Sequence, residues 1–223
     1  MNEKIEKIDW STFLQPYEFA VKNFILKFEF IKQQYIDNKQ ENPIEDISGR
    51  VKTPHSILEK LNRLNVSVNR IRELNDIGGI RITCKYVEEV YEIYELLKSR
   101  KDIQIKVVKD YIKYPKESGY RSLHVIAIYE AETINGQLPI LIEFQIRTLS
   151  MHLWATIEHT LKYKYAHNIP EDIRKSLIAA SKITNNLDLE MERMKQEMSK
   201  FQKEEINDDT ANYWKDWKIF NSH

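Results

Sequence analysis

Four segments with the alternation or density of apolar residues expected of strands stand in the middle of this chain: GIRITCKY (79–86), IQIKVVKDYI (103–112), SLHVIAIY (122–129) and PILIEFQIR (139–147). Long stretches of helical period precede and follow them. An extended segment around Arg50 and Lys52 lies ahead of the first. That order predicts an α+β fold, a mixed β-sheet of about five strands flanked by helices, with long N- and C-terminal helices. Asn135-Gly136, in the connection 129–139, is a hairpin signal between the last two strands.

The helical periods are regular. Tyr17, Val21, Phe24, Phe28, Ile31 and Tyr35 repeat at alternating spacings of four and three, and Asn42-Pro43 ends that element. Pro54 opens a second helix with Ile57, Leu58, Leu61 and Leu64 on one face, and Val90, Ile93, Tyr94 and Leu97 mark a third. From Ile173 the pattern runs through Leu177, Ala180, Thr184, Leu187, Met191, Met194 and Met198 to Phe201, a bundle or coiled-coil seam. The expected divisions are a helical segment 1–42, a catalytic domain 43–168, an oligomerisation helix 169–203 and a frayed tail 204–223.

With 223 residues, 42% of them apolar, the chain can bury a core, so global disorder is excluded. No apolar run approaches the ~18 residues of a membrane span, and the N-terminus has no signal-peptide core. The lone Cys84 excludes a disulfide framework or Cys-based zinc site and fits a cytoplasmic location. Lys+Arg and Asp+Glu balance at 34 each, yet the charge is unevenly placed. Residues 50–72 hold Arg50, Lys52, Lys60, Arg63, Arg70 and Arg72 against Glu59 alone, and 98–121 hold eight bases against three acids. Basic stretches inside a neutral chain point to a focused anion site, or to a solvated basic face.

No GxxxxGK[ST] or GxGxxG loop is present, so phosphates must be met by side-chain cations. Arg50 and Lys52 point the same way from an extended segment, and Ser56, Lys60 and Arg63 form one stripe of the next helix. A triphosphate suits that set. Asp76 enters the strand that carries Arg81, a position for a Mg²⁺ ligand or for a turn-forming Asp. Glu143, Gln145 and Arg147 share one strand face, lining a site or forming a salt-bridged sheet surface. KDYIKYPKESGYRSLH (109–124) joins Lys113, Lys116, Arg121 and His124 to Tyr111, Tyr114 and Tyr120, the residue types that hold a purine nucleotide or single-stranded RNA.

GRVKTPHSILEK, DIGGIRI, KDYIKYPKESGYRSLH, IEFQIRTLSMHLWATIEH and LKYKY together resemble the synthetase domain of the RelA/SpoT family, from about residue 43 to 166. The resemblance implies a stand-alone small alarmone synthetase with a nucleotidyltransferase-like fold. The implied reaction moves the pyrophosphoryl group of ATP to the ribose 3′-hydroxyl of GDP or GTP, giving ppGpp or pppGpp and AMP, and leaves GMP open as a further acceptor. No His-Asp dipeptide occurs, so no hydrolase activity is expected.

By the same resemblance, Asp76 and Glu143 are the catalytic and metal-binding carboxylates, with Mg²⁺ as cofactor. Arg50, Lys52, Ser56, Lys60, Arg63 and Arg81 bind ATP, Arg63 lying on the adenine. Lys113, Lys116, Tyr120, Arg121, His124 and Gln145 bind the guanine nucleotide, Tyr120 by stacking and the cations and His124 at its 5′-phosphates. A homotetramer is implied; membrane is not, and RNA is not required. A non-catalytic RNA- or nucleotide-binding regulator on the same fold is the alternative, disfavoured because carboxylates repel polyanions. Some family members are stimulated by their product through a cleft between subunits. Glu29 and Asp46 fall where those members carry a Lys and an aromatic ring, so little stimulation is expected here.

Overall fold

The computed structural model describes residues 8–165 and 169–220, without the side chains of Tyr163 and of 202–220. Helix α1 (Trp10–Asp37) begins seven residues before the apolar period becomes visible, at an Asp9 cap. The Thr12 amide donates to Asp9 Oδ1 at 3.3 Å and its hydroxyl to Oδ2 at 2.6 Å, satisfying one of the orphan first-turn donors. Strand β1 (Asp46–Val51) leads to α2 (Pro54–Arg63), with Thr53 as N-cap and Pro54 in the first turn. A 3₁₀ segment (Val68–Glu73) then precedes β2 (Gly78–Cys84). Helix α3 (Val87–Ser99), strands β3 (Ile103–Asp110), β4 (Leu123–Thr133) and β5 (Gly136–Thr148), and helices α4 (Leu149–Lys164) and α5 (Glu171–Phe220) complete the chain.

The five strands form one mixed sheet in the order β1-β2-β5-β4-β3, with β2 and β5 parallel and the other neighbours antiparallel. The expected fold class is therefore the observed one. The β4–β5 hairpin pairs Thr133 with Gly136, so Ile134 and Asn135 form its tip and Gly136 (φ +101°) opens the returning strand. Gly thus serves the bulge position after the turn.

One sheet face is the core. Ile142, Phe144 and Ile146 of β5 are fully buried there, and Phe24 of α1 meets Phe144 edge-on at 5.1 Å. Leu58 is only partly buried and Leu64 is exposed; Ile57 and Leu61 carry the α2 contact. The opposite face of β5 carries Glu143 and Gln145, not fully buried, so this strand separates core from site residue by residue.

Helix α5 leaves most of the expected seam uncovered by its own chain. Its buried residues are Leu177, Ser181 and Asp188, while Leu187, Met191, Met194, Met198 and Phe201 of the apolar stripe are exposed. The body it packs on offers polar groups: Glu192 accepts from the Val87 and Glu88 amides at the start of α3, and Asp188 accepts from the Thr148 hydroxyl at 3.1 Å. The backbone stays helical to Phe220, past the tail boundary expected at 204; residues 221–223 and the side chains of Tyr213, Trp214, Trp217 and Phe220 lie outside the described part. Among the described residues no helix is long and apolar enough to cross a membrane.

Candidate functional site

Strand register assembles the site. Glu143 lies beside Gly79 of β2, which in turn faces Arg50 of β1; one row away, Gln145 lies beside Arg81 and His124, and Arg81 beside Ser48. All of these but His124, together with Asp76, line a single cleft whose wall is Ser48, Gly49, Arg50, Asp76, Gly79, Ile80, Arg81, Glu143 and Gln145. Gly79 keeps the floor open: a Cβ there would point at space with only the Glu143 carbonyl near, at 3.7 Å. A larger side chain would fill the room beside the carboxylate.

Asp76 is held by the cations predicted beside it. Its Oδ2 takes Lys60 Nζ at 2.6 Å and Lys52 Nζ at 3.5 Å, whereas its buried Oδ1 has no partner. A buried carboxylate oxygen without a donor costs about 1–3 kcal/mol, so the site is set to receive a cation or proton donor.

Glu143 is bound on both oxygens. His124 Nδ1 lies 2.9 Å from Oε1, and Gln145 donates its amide to Oε2 at 2.8 Å. Burial pushes this carboxyl up, but His124, Gln145 and Lys60 together outweigh it and hold it below the usual carboxylate range. An ionised carboxylate can only accept, so Nδ1 carries the proton, and Nε2 is left for the Tyr120 phenol at 2.7 Å. His124 is buried, with both ring nitrogens engaged inside the protein. His124, expected at the acceptor's 5′-phosphates, stands here behind Glu143 and meets the cleft through it.

Tyr120 stands edge-on to Tyr111 and His124 and tilted against Trp154, with Lys116 Nζ 4.8 Å from its ring centre. Burial lowers the Lys116 ammonium, with Lys162 adding to the effect. Lys113 is exposed over Tyr114. Arg121 turns away from the cleft toward α5, donating to Asn185. Ser56 shares the helix cap with Thr53, and Arg63 is exposed at the end of α2; neither lines the cleft.

Two contributors escaped selection as site residues. Ser48 sits two positions before Arg50, so strict alternation would have found it. Arg147 is 3% exposed, forms no ion pair among the described residues, and has an unpartnered Nε. Burial, Arg81 and Arg50 lower its guanidinium to about 10. Arg81 is lowered the same way, first by burial and then by Arg50. Three guanidiniums so placed concentrate positive charge that an anion would stabilise.

Among the described residues no group of three or more His, Cys, Asp or Glu could hold a metal by itself. Two carboxylates in one cleft, one with a free buried oxygen, nonetheless fit Mg²⁺, which binds through one or two carboxylates together with substrate phosphates.

Residues 49–168 match the family model described as the region found in RelA / SpoT proteins. The chain is 42% identical over 193 residues to GTP pyrophosphokinase YjbM of Bacillus subtilis, spanning 86% of this chain and 92% of that protein. It is 37% identical to GTP pyrophosphokinase YwaC of the same organism, over 85% of this chain and 92% of that one. The crystal structure of small alarmone synthetase 1 from Bacillus subtilis, bound to its product pppGpp, superposes with a TM-score of 0.84 at 42% identity, covering 85% of this chain and 98% of that one.

Proposed function

The chain belongs to the RelA/SpoT family, and from that premise we propose that it is a GTP/GDP diphosphokinase. It transfers the pyrophosphoryl group of ATP to the ribose 3′-hydroxyl of GDP or GTP and releases AMP. The observation that carries this reading is Glu143, ionised and oriented by two hydrogen bonds, in one cleft with Asp76, Arg50 and Arg81. Pure anion binding needs no carboxylates there. A reaction in which a hydroxyl loses its proton does.

The 3′-oxygen forms a bond to the β-phosphorus of ATP as its proton passes to a free lone pair of Glu143. The bond between the β-phosphorus and the oxygen bridging to the α-phosphate breaks, and its electron pair leaves with AMP. Arg50, Lys52, Lys60 and Arg81 hold the triphosphate, and Arg147 adds field from beneath. Lys52 and Lys60, now on Asp76, can share it with incoming phosphates without crossing the cleft. Asp76, with Glu143 near, would hold Mg²⁺, which when bound would supply positive charge for the phosphate oxygens and the departing AMP.

Arg63, at the C-terminal end of α2, would lie on the adenine, and Ser56, in the first turn of the same helix, would also meet the ATP. Tyr120 stacks the guanine, Gln145 offers its amide, and Lys113, Lys116 and Arg121 serve the acceptor's phosphates, Arg121 while one of its nitrogens stays on Asn185. The working assembly is a homo-oligomer, a tetramer by family resemblance, in the cytoplasm. The test is incubation of the protein with ATP, Mg²⁺ and GDP. Equal amounts of AMP and a guanosine tetraphosphate are expected; no product with any divalent cation would leave only a binding role.

A further inference from the structure

Helix α5 reaches the acceptor loop with two side chains. Ser181 is buried and its hydroxyl donates to the Gly119 carbonyl at 2.5 Å; Asn185, one turn on, accepts from the Arg121 guanidinium. Gly119 has φ +90°, and a Cβ there would lie 2.5 Å from Ser181 Cβ, so loop and helix meet without room for a side chain. Tyr120 lies between these two anchored residues. Its phenol is fixed independently by His124 at 2.7 Å.

From this geometry we infer that Ser181 and Asn185 are positioning residues for the guanine-nucleotide site, acting through Gly119 and Arg121 on the ring of Tyr120. The inference rests on the reading of Tyr120 as the acceptor's stacking platform. The Pro115–Gly119 stretch is exposed or half-exposed loop, and apart from the helix Tyr120 is fixed by its bond to His124, by ring contacts and by the Lys116 amide, which donates to its carbonyl at 3.2 Å. Fixing Gly119 and Arg121 removes conformations in which the ring is misdirected, which strengthens acceptor binding without a new contact to the ligand. The effect is confined to one substrate, because neither residue belongs to the cleft where Asp76, Arg50 and Arg81 stand.

The experiment measures initial velocities against GDP at saturating ATP–Mg²⁺, and against ATP at saturating GDP, for the parent, Ser181→Ala, Asn185→Leu and Asn185→Asp. Loss of one such hydrogen bond should raise the acceptor KM about 3- to 10-fold in Ser181→Ala and Asn185→Leu. The KM for ATP should hold. Asn185→Asp keeps an acceptor oxygen for Arg121 and should restore the parental KM. Should Asn185→Leu fail to fold, Ser181→Ala carries the same expectation. An active parent whose variants keep the acceptor KM, or lose both substrates equally, overturns the inference alone. An inactive parent overturns the transferase reading on which it rests.

Discussion

Glu143 Oε1 and His124 Nδ1 stand 2.9 Å apart across the β4–β5 seam, and the far nitrogen of the same ring meets Tyr120. One imidazole therefore joins the residue proposed to take the proton to the residue proposed to stack the acceptor. His124 is the largest of the influences that hold Glu143 below the usual carboxylate range, where burial alone would raise it.

The sign of the pH effect follows. A carboxylate lowered on folding contributes stability that is present above its unfolded value of ~4.3 and is lost as pH falls through the folded value. In activity, Glu143 must be ionised to accept a proton, so its acid limb lies on the low side of that value. His124→Leu removes the stabilising donor and leaves burial dominant, so the acid limb of kcat/KM for GDP should move toward neutral pH. A limb that stays in place would separate His124 from the base.

The polar face of β5 was legible in the sequence because a two-residue period is strict: Glu143 and Gln145 had to share a side once Ile142 and Phe144 were assigned to the core. Asp76, Arg50 and Arg81 were legible as residue types, and register alone brought them together. What periodicity could not reveal was the seating of α5. Ser181, Asp188 and Glu192 are polar, and they face the body because the Gly119 carbonyl, the Thr148 hydroxyl and the α3 amides require partners. The Tyr120–His124 bond was equally hidden, since it depends on how a loop closes onto a strand.

The outer face of α5 carries the second prediction. Ile183 is 69% exposed, and Leu187, Met194, Met198 and Phe201 are exposed beside it. Such an apolar strip on a helix already docked along its inner face calls for another copy of the chain. Leu187→Glu with Met194→Glu should lower the mass measured by light scattering. A monomeric parent would contradict the assembly.

Glu29 on α1 and Asp46 at the start of β1 are both exposed. Carboxylates repel a penta-anionic nucleotide, and Asp46 has no ring on which a base could stack. Micromolar pppGpp added to the parent protein should change the initial velocity by less than about two-fold. A several-fold rise, lost when residues beside Glu29 and Asp46 are replaced, would establish a product site there.

In the proposed reaction this cleft moves an intact pyrophosphoryl group under the control of Glu143. ATP labelled at the β-phosphate, supplied with GDP and Mg²⁺, should deliver its label to the 3′ position of guanosine tetraphosphate, one label for each AMP released. Glu143→Gln keeps the shape of the side chain and removes its charge, so label transfer should fall by roughly 10³-fold while the thermal midpoint stays near that of the parent. Label recovered as free phosphate or pyrophosphate instead of on the guanosine, or transfer in Glu143→Gln close to the parental rate, would contradict the account.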